Sequence, residues 1–160
     1  MKNINEDITS EFHIHKRHLP HWQIGGHTYF ITFRSSIGDL PEKALTEVQQ
    51  TILHGHGERY DLLFGVAMPD HIHLLLRPRE KEPGHWHNLA EILKRIKGSS
   101  ARRINLLLGR SGTVWREEYF DRMIRDENEL LEKWSYIWNN PLKKGLANSF
   151  EEYPFYIKPQ

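Results

Sequence analysis

The chain contains no cysteine among its 160 residues, which excludes a disulfide framework and any thiolate metal centre; a metal here has to sit on nitrogen and oxygen ligands. It has no apolar run near the roughly 20 residues that span a bilayer, and the opening Met-Lys-Asn-Ile-Asn-Glu-Asp lacks the basic-then-apolar pattern of a secretory signal. The expectation is a cytoplasmic protein with no membrane partner. An excess of either charge is lacking too, since 22 Lys and Arg stand against 21 Asp and Glu. Net charge therefore neither suggests nor excludes nucleic acid, because a phosphate backbone responds to local clusters of Lys and Arg.

Such clusters are present. Between Arg77 and Arg125 lie Lys94, Arg95, Lys97, Arg102, Arg103, Arg110, Arg116 and Arg122, whereas acidic residues gather in Glu42 to Glu58 and Glu127 to Glu132. A hydrophobic content of 38% with five tryptophans suffices for one packed domain and is too little chain for two. Residues 1–21 are polar, rich in histidine and without a sustained period, so they read as an irregular arm before a single domain over residues 22–160.

Within that domain, His27 to Arg34 is dense in β-branched and aromatic residues and reads as a strand. Leu45, Val48, Ile52 and Leu53 then fall at helical spacing in Pro41 to His54. Leu62 to Met68 and His71 to Leu76 are two strand-length runs around the Met68-Pro-Asp70 turn, an antiparallel hairpin. A linker with Pro83 and Gly84 leads to Asn88, a good N-cap, and a long helix whose Leu89, Ile92, Leu93, Ile96, Ile104 and Leu107 form an inward stripe, with a kink expected at Gly98-Ser-Ser100. Thr113 to Trp115 reads as a short strand and Tyr119 to Arg125 as extended; Asp126 caps a last helix from Glu127 to Asn140, stopped by Pro141. The pattern predicts an α+β sandwich, an antiparallel sheet with helices packed mainly on one face.

In His71-Ile-His73 the pleat puts both imidazoles on one face, roughly 6.6 Å apart at Cα, a spacing at which they can share a metal. Mg²⁺ or Mn²⁺ suits such a site when a phosphate completes the shell, and imidazole also suits zinc. Asp70 is placed to accept a histidine N–H. The bland reading is two histidines on the polar side of a half-exposed strand. The pairs His13/His15, His54/His56 and His85/His87 show how readily this chain makes the pattern; they sit in loop-like contexts and read as solvated.

On the last helix, Leu130, Trp134, Ile137 and Trp138 form an apolar stripe that predicts the core-facing side. Tyr136 and Asn140, an i, i+4 pair, leave the helix together on another side beside Lys133 and Glu129. They read either as a nucleophile with a third metal ligand, or as a surface aromatic with an ordinary Asn near a helix end.

Three segments, Met68-Pro-Asp-His-Ile-His-Leu-Leu75, Val114-Trp-Arg-Glu-Glu-Tyr-Phe-Asp-Arg-Met-Ile-Arg125 and Tyr136-Ile-Trp-Asn-Asn-Pro-Leu-Lys-Lys-Gly-Leu146, resemble in content, order and spacing the HUH-type single-tyrosine transposases. His18-Leu-Pro-His-Trp22 followed by Tyr29-Phe-Ile-Thr-Phe-Arg34 is similar to their REP-associated branch. The resemblance covers most of the chain. It implies a ferredoxin-like, RRM-like sheet in a transposase-like catalytic domain, a divalent metal on His71, His73 and Asn140, and attack by Tyr136 on single-stranded DNA at hairpin-forming repeats, leaving a 5′-phosphotyrosine link. It also implies a location with the bacterial nucleoid. Tyr119 is a rival nucleophile. Asp70 stands where Asn is frequent in the family, and the chain runs out after Tyr153 to Ile157 without a basic tail, so hairpin recognition is expected to fall to the domain body and the arm.

Arg34, Lys94, Lys97, Arg102, Arg103, Arg122 and Arg125 are candidate phosphate contacts, with a solvated helix surface as the bland alternative, and Trp115 or Trp86 candidate base-stacking residues. The sequence identifies no base to activate Tyr136, whose phenol has an ordinary pKa near 10. A monomer is expected, with a homodimer as the alternative. Two other functions compete: a non-catalytic RRM-like nucleic-acid-binding module stacking bases on Tyr29, Phe30 and Phe33, and a metal hydrolase that uses His71 and His73 but not Tyr136.

Overall fold

The computed structural model describes residues 24–160. The arm over residues 1–21, the His18 to Trp22 segment and the His13/His15 pair therefore lie outside the described residues. The elements run β1 (Tyr29–Ser35), α1 (Glu42–Gly55), β2 (Tyr60–Ala67), β3 (His71–Pro78), β4 (Glu80–Glu82), β5 (His85–Trp86), α2 (Leu89–Leu108), β6 (Trp115–Met123), α3 (Glu127–Lys143), a 3₁₀ turn (Phe150–Glu152) and β7 (Tyr156–Ile157). The main sheet has the order β6-β1-β3-β2-β7, every pairing antiparallel, and β4-β5 form a small separate ribbon. Without the short β7, the order and the β-α-β-β-α-β succession are ferredoxin-like, as expected.

The pleat sorts the strands into two faces. Tyr29, Ile31 and Phe33 pair in register with Leu76, Leu74 and Ile72, and all six are buried. This face carries α1, through Ala44, Leu45, Val48 and Ile52, and α2, through Leu89, Ile92, Leu93, Ile96 and Ile104. Trp115 ties the layers: it packs edge-on to Phe33 at 4.8 Å and donates its indole N–H to Ser100 Oγ at 2.9 Å. The alternate residues of the same strands, Phe30, Thr32 and Arg34, pair with Leu75, His73 and His71 and point the other way. α3 crosses that second face. Two of the three helices thus share one side.

The caps fall where the sequence put them: Asn88 accepts from the Glu91 N–H at 3.1 Å and Asp126 from the Glu129 N–H at 2.8 Å. Several expectations need correction. β6 joins the expected short strand and the extended stretch after it into one strand, Trp115–Met123, and the Pro83-Gly84 linker contains the β4-β5 ribbon. Leu107 is 39% exposed rather than inward, and the last turn of α2 packs on the core through Leu108 instead. α2 is assigned without a break across Gly98 to Ser100; Ser100 Oγ donates to the Ile96 carbonyl at 2.7 Å instead of interrupting the ladder. α3 continues through Pro141 to Lys143, since a proline in the last turn forfeits one backbone bond where the helix is ending anyway. His56 is not merely solvated: its Nδ1 accepts from the Leu62 N–H at 2.9 Å.

Among the described residues no helix is long and apolar enough to cross a membrane.

Candidate active site

β3 brings the two histidines together as the pleat predicts, with ring centroids 4.6 Å apart. Each ring is held through Nδ1. His71 meets Asp70 Oδ1 at 2.6 Å, and His73 meets Thr32 Oγ1, directly across on β1, at 2.7 Å. With Asp70 accepting from Nδ1–H, the lone pair of His71 lies on Nε2. Burial is the largest influence on both imidazoles and disfavours their protonation. Asp70 works against it at His71; at His73 the neighbouring His71, Arg34, Lys133 and Lys144 reinforce it, and the pKa falls well below the usual imidazole value. Both rings are therefore neutral near pH 7, the form a metal requires.

α3 supplies the other half. Its residues Glu129, Lys133, Tyr136 and Asn140 follow one another at i, i+4, i+7 and i+11 and lie on the side turned to the sheet; all but the half-buried Tyr136 are buried. This corrects the expectation that Tyr136 and Asn140 project away from the core. The predicted apolar stripe is split: Ile137 is fully buried and Trp134 stacks on Phe64 at 4.6 Å, but Trp138 is 37% exposed and covers Phe150. Glu129 fixes the start of the helix by accepting from the Arg125 N–H at 2.9 Å and from the guanidinium groups of Arg122, on β6, and Arg125. Burial pushes its carboxyl up, but those donors outweigh it and hold the pKa below the usual range. Farther along, Tyr156 OH donates to the Trp138 carbonyl and ties the helix to β7.

Phe30 is the platform on which the parts meet. Its ring stacks on His73 at 5.5 Å, receives the edge of Tyr136 at 6.0 Å and carries the Lys133 ammonium at 5.4 Å. Tyr136 itself lies 5.2 Å from His73, centroid to centroid. Burial raises the Tyr136 phenol, while Arg34 and the Asn140 carboxamide act to lower it. Asn140, 3% exposed, stands beside both His71 and Tyr136. Two polar atoms on this face, His73 Nε2 and Asn140 Oδ1, are buried and make no hydrogen bond.

Those two atoms are what a metal ion would satisfy. Among the described residues no group of three or more His, Asp or Glu side chains is arranged to hold one; the two imidazoles and the Asn140 oxygen are donors of the kinds that divalent cations accept.

Several candidates are not brought here. Tyr119 pairs in register with Phe33 and so belongs to the opposite face, beneath Lys97, where burial pushes its phenol up to about 12; it is no rival to Tyr136. Tyr29, Phe30 and Phe33 are each no more than 1% exposed, so they form no base-stacking platform. Trp115 is a core residue, and the exposed Trp86 lies on the β4-β5 ribbon against Gly25. Of the basic candidates, Arg34 faces the site, while Arg122 and Arg125 hold Glu129. Lys94, Lys97, Arg102 and Arg103 ride on α2 across the sheet; Lys97 donates to the Arg116 and Glu117 carbonyls at 2.7 and 3.1 Å, and Arg103 pairs with Glu47 at 3.1 Å. Thr32 was missed as a site residue, and Phe30 was read as a base-stacking residue rather than as a support for His73, because only strand register, which one sequence does not disclose, sets them beside His73.

Fold and site together define a protein that presents a tyrosine, two histidines and an asparagine on one face of a ferredoxin-like sheet. A sequence model of the family described as "Transposase IS200 like" matches residues 32–140, most of the chain, and the protein belongs to that family. It is 23% identical over 141 residues, 81% of this chain and 78% of the other, to a Haemophilus influenzae protein named as a REP-associated tyrosine transposase. Among solved structures it is similar to a REP-associated tyrosine transposase bound to a REP hairpin, with a TM-score of 0.70 and 19% identity over 88% of this chain and 82% of that one. A transposase from Deinococcus radiodurans gives a TM-score of 0.48 and 21% identity over 76% of this chain and 96% of that one.

Proposed function

We propose that the protein is a metal-dependent endonuclease and strand transferase for single-stranded DNA, acting in the bacterial cytoplasm at hairpin-forming palindromic repeats through a 5′-phosphotyrosine intermediate on Tyr136. The observation that carries this reading is the placement of Tyr136 against His73, with Asn140 beside it, by a helix of the same chain. His71, His73 and Asn140 are the residues that would hold Mg²⁺ or Mn²⁺, which when bound supplies charge stabilisation at the scissile phosphate. The Tyr136 oxygen attacks phosphorus in line, the bond to the 3′ oxygen breaks, and a 3′-hydroxyl departs. Arg34 favours the phenolate that burial opposes. The tyrosine ester keeps the bond energy of the phosphodiester, so a second 3′-hydroxyl can displace Tyr136 and rejoin strands without ATP.

Family membership supports DNA as the substrate, and the hairpin carried by the structurally similar transposase supports its folded form. The placement of α3 over the histidines of its own chain supports a monomer as the acting form. The test is incubation with a labelled hairpin drawn from the repeats flanking the gene, with Mg²⁺ or Mn²⁺, followed by a denaturing gel. A metal-dependent protein–DNA adduct that Tyr136→Phe abolishes is the expected result; tight binding of that hairpin with no adduct would assign the protein to the binding modules instead.

A further inference from the structure

The proposed chemistry leaves one charged side chain on this face without a task. Lys133 is 4% exposed. Its carboxylate neighbour one turn earlier, Glu129, is engaged by Arg122 and Arg125, and the described contact of the Lys133 ammonium is the face of Phe30 at 5.4 Å. The stem of Lys133 is packed, while its ammonium, in no ion pair among the described residues, is available to an anion that arrives.

The geometry says which anion. Lys133 precedes Tyr136 by three residues, so both leave α3 on the same side. The same Phe30 ring that carries the ammonium touches His73 and Tyr136 at 5.5 and 6.0 Å. The positive charge is felt at His73, where it helps to keep the imidazole unprotonated. A group bridging Tyr136 and the histidines therefore lies against the same Phe30 ring as the Lys133 ammonium.

We infer that Lys133 is a substrate-binding catalytic residue whose ammonium donates a hydrogen bond to a non-bridging oxygen of the scissile phosphodiester. The inference rests on the Tyr136 reading for where that phosphate lies. No bond is made or broken at Nζ. The bonds exchanged are those from phosphorus to Tyr136 and to the 3′ oxygen, and the lysine offsets the charge that builds on the phosphoryl oxygens as they exchange.

The deciding measurement uses the uncleaving Tyr136→Phe protein and a short single strand from the repeat that spans the cleavage point, with affinity read by fluorescence anisotropy over a salt series. Adding Lys133→Met, which preserves the length and apolar stem of the side chain, is expected to reduce the slope of log affinity against log salt by about 0.7, the share of one phosphate contact on a single strand. A methylphosphonate at the scissile position, which removes the charged oxygen, is expected to erase that difference. In the protein with Tyr136 intact, Lys133→Met is expected to slow adduct formation by about 10²–10³-fold, and Lys133→Arg to recover part of the rate. Lys133→Gln gives the same readings should the methionine variant fold poorly by circular dichroism. An unchanged salt slope, or a loss of affinity that persists with the methylphosphonate, overturns the inference. A slope change without any Tyr136-dependent adduct in the parent protein would leave the phosphate contact standing and remove the tyrosine chemistry.

Discussion

The two faces of the sheet are built from the same strands and are about equally buried, yet they hold different chemistry. Toward α1 and α2 the strands present Tyr29, Ile31, Phe33, Ile72, Leu74 and Leu76; toward α3 the intervening residues include Thr32, Arg34, His71 and His73, met by Glu129, Lys133 and Asn140 from the helix. His73 has no exposed surface at all, the same as Leu74 beside it. Polar and ionic groups lose hydration on burial and recover little stability from it, whereas apolar groups gain roughly 25 cal/mol per Å². The side under α1 and α2 thus holds the fold, and the histidine side spends some of that stability on a preorganised polar site.

The comparison predicts which readout each substitution moves. The largest effect is expected from Tyr136→Phe, which should abolish the covalent adduct, a loss of at least about 10³-fold, while shifting stability in urea titrations by less than about 1 kcal/mol. Replacing His73 together with its partner tests the asymmetry directly. His73→Leu combined with Thr32→Val, which removes both partners of the buried Thr32–His73 hydrogen bond, should remove metal-dependent cleavage while leaving stability equal or higher. A large destabilisation by this pair of changes would refute the idea that the histidine side gives up stability.

Leu74→Ala, the neighbouring residue on the other face, should cost about 2–5 kcal/mol and leave cleavage per folded molecule near that of the parent. A smaller effect is expected at Glu129. Its folded pKa is depressed, so its contribution to stability is present above the ordinary carboxylate range and is lost as pH falls through the lower, folded value. Glu129→Gln should accordingly flatten the acid limb of a stability-versus-pH curve and leave the neutral limb parallel. The smallest effect belongs to α2: Lys94→Gln with Arg102→Gln should change the affinity of the cleavage-point single strand by less than about threefold, because both residues stand on the layer away from the histidines.

The legible parts of the fold were those whose signal is local. The β1, β2 and β3 runs, the apolar spacing of α1 and α2 and the caps Asn88 and Asp126 all follow from residues within one or two turns of each other. His71/His73 was legible because alternation within a strand is local too. The Thr32 to His73 contact spans 41 positions and depends on the register between strands, so no local pattern announces it. The side of α3 turned to the sheet was misread for a related reason. A wheel assigns burial to the most apolar sector, whereas this helix lays its polar row on a polar sheet face and sets Trp134 and Ile137 on the flanks of that contact. β7, two residues long, and the β4-β5 ribbon are too brief to show a period of two.

Glu129 secures the start of α3 through Arg122 and Arg125, Trp134 rests on Phe64 midway, and Tyr156 holds the Trp138 carbonyl near the far end. In the proposed reaction, those three contacts would keep the tyrosine ester where the strand was cut. The freed 3′ end and the tyrosine ester therefore stay neighbours, and reversal is the fastest fate of the intermediate. Exchange of partners then depends on how long the departing strand stays away, so the yield of joined products is set by the residence time of the DNA rather than by travel of the protein.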